Sequence, residues 1–155
     1  MPTSTARGFT LIELLVVIAI IGILSAVILA SLSGAKSKGN DAAAESDLHS
    51  IQTEAELYWD ENGYYGSSPT NTSLSHCTLG MFAPPPAGDQ TLVNAINNAV
   101  SDEGGGVLCS ISPNAYAVEV QITSIASPTT YWCVDSTGYS GPDTTALTKG
   151  VYNCP

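Results

Sequence analysis

From Phe9 to Leu32 the chain reads FTLIELLVVIAIIGILSAVILASL, apolar at nearly every position rather than on one face. These 24 residues hold one charge, Glu13, and three hydroxyls, Thr10, Ser25 and Ser31. A helix that is apolar all round lies in a membrane or a deep core, and about 20 such residues cross a bilayer. The stretch Gly34–Asn40 is only weakly helical, and the pattern then changes. Between Asp41 and Asn62 the apolar residues Ala44, Leu48, Ile51, Ala55 and Tyr58 recur at spacings of 4, 3, 4 and 3. That is one face of an amphipathic helix. Asp41 and Glu45 suit its start, and Gly63 suits the position just past its end. Read as one helix, Phe9 to Asn62 is about 80 Å long at about 1.5 Å per residue. Its second half holds a head domain, and its first half sits in an apolar surrounding.

Tyr64 to Pro86 is rich in Ser, Thr, Asn and Pro and reads as loop. Asp89 to Val100 predicts a short helix, with Asp89 as its N-cap and Leu92, Val93, Ile96 and Val100 turned inward. Tyr116 to Ile122 alternates as a strand, and Thr129 to Val134 gives a second, joined through a turn at Ser127-Pro128. Leu147 to Tyr152 gives a weak third. A helix laid across three antiparallel strands predicts a small α+β head.

Composition narrows the function. The chain has 155 residues, with 14 acids against 4 Lys+Arg, a net charge of -10 and a pI near 4.1. The length is that of one domain. So few cations argue against direct nucleic-acid binding, which needs Lys and Arg for phosphates. The apolar run is too long for the h-region of a cleaved secretory signal, and no small-residue cleavage site follows it. Charges flanking the span, Arg7 before and Lys36 and Lys38 after, do not fix its orientation. Cys77, Cys109, Cys133 and Cys154 all follow the span, at separations of 32, 24 and 21. No zinc pattern fits. An even, wide set reads as two disulfides formed in an oxidising compartment, with three connectivities open. The head therefore lies outside the cytoplasm. No nucleophile elbow, HExxH motif, dinucleotide fingerprint or Walker loop is present, so the expectation is that the protein is not an enzyme. His49 falls on the polar side of the helix and is expected to be solvated. His76 lacks a partner cluster. Tyr58 and Trp59 are expected at the junction of helix and head. Asn71-Thr72-Ser73 has the form of a glycosylation acceptor.

Glu13 is the anomaly. A carboxylate inside an apolar helix costs up to about 2.5–3.5 kcal/mol at the centre of a span, and less near its end. Either it snorkels to the interface or takes a proton, or it pairs with a positive group inside an assembly. The residues around it bear on that choice. Arg7-Gly8-Phe9-Thr10-Leu11-Ile12-Glu13, followed by an unbroken apolar helix through Gly22, resembles the prepilin signature of the type IV pilin and pseudopilin superfamily.

The resemblance implies a type IV pilin-like α+β fold. It implies a leader at 1–8, a transmembrane and filament-core helix at 9–33, an amphipathic half at 34–63 and an extracellular head at 64–155. A prepilin peptidase then cuts between Gly8 and Phe9, and the new N-terminal Phe9 is N-methylated. Glu13 neutralises the amine of a neighbouring copy. The partners implied are identical copies, the peptidase, a pilus assembly platform and the membrane. The precursor sits in the cytoplasmic membrane and the product is a surface filament serving adhesion, motility or DNA uptake. A pseudopilin of a type II secretion or competence system is the nearest alternative, and a membrane-anchored secreted enzyme or binding protein is a remote one. Pairing of Cys133 with Cys154 resembles the disulfide-bounded C-terminal loop of pilins, which leaves Cys77 for Cys109. No cofactor is expected. Some pilin-like heads hold calcium in their loops, and here Asp135 and Asp143 can supply oxygens, although a solvated turn is the preferred expectation. Many pilins carry Pro at the position of Ala30. Its absence makes Gly34 and Gly39-Asn40 the nearer candidates for a bend.

Overall fold

The computed structural model describes residues 8–66, 71–73, 77–103, 105–122, 130–148 and 150–155. The leader residues 1–7, His76 and the turn at Ser127-Pro128 lie outside these. The chain divides into two compact units, 1–36 and 37–155, each described by itself.

Helix α1 runs Leu11–Asn62. Residues 34–40 are helical throughout, so neither Gly34 nor Gly39-Asn40 breaks it. A helix keeps its backbone bonds through an isolated glycine at a cost of about 1 kcal/mol, which neighbouring turns absorb. The end falls where the pattern puts it. Gly63 adopts a left-handed φ of 75° and its N–H donates to the Trp59 carbonyl at 2.7 Å, an αL cap.

In the second unit Ala44, Leu48, Ile51 and Ala55 of α1 are wholly buried. They belong to one core with Val118 and Val120 at its centre. Five antiparallel strands form the sheet: β1 (Asn71–Ser73), β2 (Val107–Ile111), β3 (Tyr116–Ile122), β4 (Thr130–Asp135) and β5 (Ser140–Asp143). Spatial order equals chain order, so the sheet is a meander. Val118 stands opposite Cys109 and Val134, and all three belong to the core face or line it. Glu119 stands opposite Leu108 and Cys133 and points the other way, because side chains alternate along a strand. Helix α2 (Gln90–Glu103) begins as expected, with the Asp89 carboxylate accepting from the Thr91 N–H at 2.6 Å and the Leu92 N–H at 3.3 Å.

Two expectations are corrected. Leu147 to Tyr152 forms no strand among its described residues; Leu147 gives its N–H to a side chain instead of a ladder. The stretch 64–86 is not merely loop. It holds the edge strand β1, which contains the Asn71-Thr72-Ser73 triplet, and a buried 3-10 turn, Gly80–Phe82. Gly80 lets that turn approach: at φ 59°, a Cβ there would lie 2.7 Å from Ile111 and 2.8 Å from the Tyr65 carbonyl. Tyr65 and Phe82 both meet the Tyr116 ring edge-on, and Trp59 lies 4.7 Å from Tyr65, placing it at the helix–head junction as expected.

The buried stripe of α1 is what the head closes on. Leu48→Ala is expected to destabilise the head by about 2–5 kcal/mol. Leu57→Ala, at a position 55% exposed on the same helix, should change it by less than about 0.5 kcal/mol. Denaturant titration of the detergent-solubilised chain, followed through the near-UV signal of the Tyr116 aromatic cluster, measures both.

Candidate functional site

The helix start is built by a short local motif. Thr10 is the N-cap of α1 and Glu13 its third helical residue. The Glu13 Oε2 accepts from the Thr10 N–H at 2.9 Å and from the Thr10 hydroxyl at 2.7 Å. In return the Glu13 N–H donates to Thr10 Oγ1 at 3.3 Å. This is a capping box, which satisfies backbone donors that no earlier turn can reach. Thr-x-x-Glu in the sequence is its signal, and reading Glu13 as a membrane cost or as an assembly partner left that local role out. Both side-chain bonds fall on one oxygen. Oε1 has no hydrogen-bond donor among the described residues and is open to a partner from outside the chain.

Around this cap the surface is apolar. Phe9 is 85% exposed, and Ile12, Leu14, Ile18, Ile20, Leu24, Val27 and Leu32 are exposed with it. Phe9, Ile12, Glu13, Val16 and Val17 line one shallow groove. Nothing within the first unit buries these residues. The helix is long and apolar enough to cross a membrane, with a mean hydropathy of 3.0 over its best window.

The other chemistry-bearing cluster lies on the far face of the sheet. Cys133 and Cys154 are joined, as are Cys77 and Cys109. Asp135 takes the Thr137 N–H at 2.8 Å, the Thr137 hydroxyl at 2.6 Å and the Tyr139 N–H at 3.2 Å on Oδ1. Its Oδ2 takes the Cys154 N–H at 2.7 Å. Glu119, fully buried at the middle of β3, takes the Leu147 N–H on both oxygens, at 3.2 and 3.0 Å. Two carboxylates and one disulfide thus hold the segment after β5 against the sheet. Asp135 and Asp143 are therefore not in a solvated turn, since both are buried. The donor set does not fit calcium either. Every Asp135 oxygen is occupied by a hydrogen donor; Asp143 gives one oxygen to the Thr145 N–H at 2.8 Å and keeps the other, Oδ2, buried without a partner, one open oxygen where calcium takes about six to eight. Among the described residues no group of three or more His, Cys, Asp or Glu is placed to hold a metal. His49 is exposed but not free in solvent: its Nε2 lies 3.4 Å from Ser140 Oγ, which also accepts from the Trp132 indole N–H at 3.2 Å.

Comparison with known proteins fits this geometry. Residues 3–29 match the prokaryotic N-terminal methylation motif. The chain is 30% identical over 114 residues to the type II secretion system core protein G of Escherichia coli (strain K12), covering 74% of this chain and 77% of that protein. It is 33% identical over 125 residues to the type IV wide pilus major component PilA4 of Thermus thermophilus, covering 77% of this chain and 92% of that one. The chain belongs to the type IV pilin and pseudopilin superfamily. No solved structure gives a significant match. This family is structural rather than enzymatic, and the surfaces of interest on a pilin-superfamily chain are those that meet other chains.

The tail clasp gives this pilin-type head a pH dependence. Burial pushes the Glu119 carboxyl up to about 7 from 4.5; the Leu147 N–H pulls it back and the charge of Asp143 adds to the rise. The folded head therefore favours the protonated form, so this contribution is complete below about pH 4.5 and is lost as pH rises through about 7. Denaturant midpoints of the wild-type chain are expected to fall between about pH 5 and about pH 8. Glu119→Gln, which carries no proton equilibrium, should flatten that slope. An equal slope in the variant would assign it to other groups.

Proposed function

We propose that this chain is the structural subunit of a type IV pilus-like filament. A prepilin peptidase removes residues 1–8, leaving 155 − 8 = 147 residues. Loss of Arg7 takes the formal side-chain charge from -10 to -11. Residues 9–33 hold the precursor in the cytoplasmic membrane, 34–63 carry the amphipathic stripe, and 64–155 form the head on the outer side. The assembly platform then moves subunits from lipid into the polymer, where the apolar helices cover one another.

The observation that carries this reading is the open Oε1 of Glu13 at the head of an uncovered apolar helix. Cleavage between Gly8 and Phe9 makes an α-amine four residues before that carboxylate. Held by Thr10 through one oxygen, Glu13 offers the other to the Phe9 amine of a neighbouring copy. In low dielectric the attraction is strong, and desolvation offsets much of it. Leaving either charge alone in the core is costly, so the pair selects one stacking offset. N-methylation of Phe9 keeps the charge. A second reading, the pseudopilin of a type II secretion or competence system, is favoured by the likeness to core protein G, and it uses the same helix start.

Protein sheared from cell surfaces separates the two. The filament subunit is expected in abundance there, starting at Phe9, one methyl group heavier than its sequence and four hydrogens lighter for two disulfides. A cleaved chain confined to membranes supports the pseudopilin reading. A chain still starting at Met1 contradicts both. Glu13→Ala should lower sheared filament by about tenfold or more, which corresponds to about 1.4 kcal/mol per contact, while the cleaved subunit stays in the membrane.

A further inference from the structure

The segment that follows β5 is held differently from a strand. Three carboxylates of the sheet take its backbone N–H groups: Asp143 of β5 takes Thr145 at 2.8 Å, Glu119 of β3 takes Leu147, and Asp135 of β4 takes Cys154 at 2.7 Å. The Cys133–Cys154 bond adds a covalent tie at the last of these. The clips are unequal. Asp135 accepts four hydrogen bonds over its two oxygens. Glu119 is fully buried, and among the described residues its two oxygens share the one Leu147 N–H.

A charged carboxylate inside a protein needs several donors or water around it. The surroundings of Glu119 supply few. Leu108 of β2 and Cys133 of β4 stand directly opposite it. At the next positions on the same face, Ala117 stands opposite Asp135, whose oxygens are taken, and Gln121 opposite Tyr131, which in turn faces Asp143. The charge of Asp143 opposes one on Glu119. Residues 144–148 hold no titratable side chain. Further along the tail come Tyr152 and Lys149, the latter outside the described residues. Water has a route to this place. A cavity of about 210 Å³ lies beside the segment, with Asp143, Ala146, Leu147, Val151 and Asn153 in its wall.

We propose that residues 144–148 are a pH-gated strap, which leaves the sheet at Leu147 when Glu119 ionises while the Asp135 clip and the Cys133–Cys154 bond keep the tail attached. The strap belongs to the head alone and works whether or not copies assemble. Its sign follows from burial. The Glu119 carboxyl stands at about 7 in the closed head against 4.5 in water. Closure is therefore fully favoured below about pH 4.5 and weakens by about tenfold per pH unit up to about pH 7. Above that both states are ionised, and it weakens no further. Closed, the strap buries Leu147. Open, it brings Leu147 to the surface near Val151, which is already 38% exposed. The head thus offers a sealed face in mildly acidic medium and a more apolar one near neutrality.

Amide hydrogen exchange, followed by NMR on the detergent-solubilised full chain, tests this. After correction for the intrinsic rise of exchange with pH, protection of the Leu147 N–H is expected to fall by about tenfold per pH unit between about pH 5 and about pH 7, then to level off. Val118 and Val120, in the core, should stay better protected at every pH. Glu119→Gln should make Leu147 protection independent of pH. Asp143→Asn, which removes the opposing charge, should make the fall level off at a lower pH. Near-UV circular dichroism in mildly acidic buffer confirms that each variant is folded, and if Glu119→Gln is not, Asp143→Asn decides. Exchange of Leu147 in step with Val118 and Val120 overturns the strap, because the head then opens only as a whole. An unchanged pH dependence in the folded variants overturns it as well, by assigning the fall to other groups.

Discussion

One helix in this chain answers to two environments, and the remaining structure is arranged around that division. Up to Leu32 the side chains are apolar on every side, and nothing in the same unit covers them. Beyond Asn40 only a stripe is apolar, and the head's core takes in Ala44, Leu48, Ile51 and Ala55, with Tyr58 half-buried against it. Water is a poor solvent for the first half, so it must lie in lipid or against copies of itself. The second half needs neither, because its own head buries Leu48 and Ile51. The first half can therefore exchange one apolar neighbour for another without asking the head to unfold.

The helix was legible in the sequence because its unbroken apolar run and the 4-3-4-3 stripe after it are both strong signals, and its end because Gly63 takes the conformation glycine tolerates best. The strand β3 was legible from alternation alone. The strand β4 was legible too, read as Thr129 to Val134; β1, β2 and β5 were not, and for β1 and β5 the reasons lie in their residues. β5 is Ser-Gly-Pro-Asp, and Pro142 fits only the edge position it occupies. β1 is three polar residues whose pairing is set by β2 rather than by pattern. Leu147 looked like strand material because it is apolar, yet its amide is claimed by the Glu119 carboxylate across 28 residues, a long-range bond no local pattern announces.

The same contrast holds at the candidate sites. Glu13 stood out as a charge in an apolar run, but its local partner Thr10 was hidden in plain spelling. Asp135 stood out as an oxygen ligand in a loop. Its surroundings turned out to be hydrogen donors, which suit an anion and repel a cation. In both cases the residue was visible in the sequence and its role depended on neighbours brought in by folding.

The order in which the head can close follows from the tail clasp. Glu119 and Asp135 precede by 28 and 19 residues the backbone N–H groups that cover them. Synthesis makes both carboxylates before the N–H groups that cover them. The core side of the meander needs only α1 and residues up to Asp143. Its far side is finished by the last segment delivered. The bond from Cys133 to Cys154 holds that last segment against the sheet covalently.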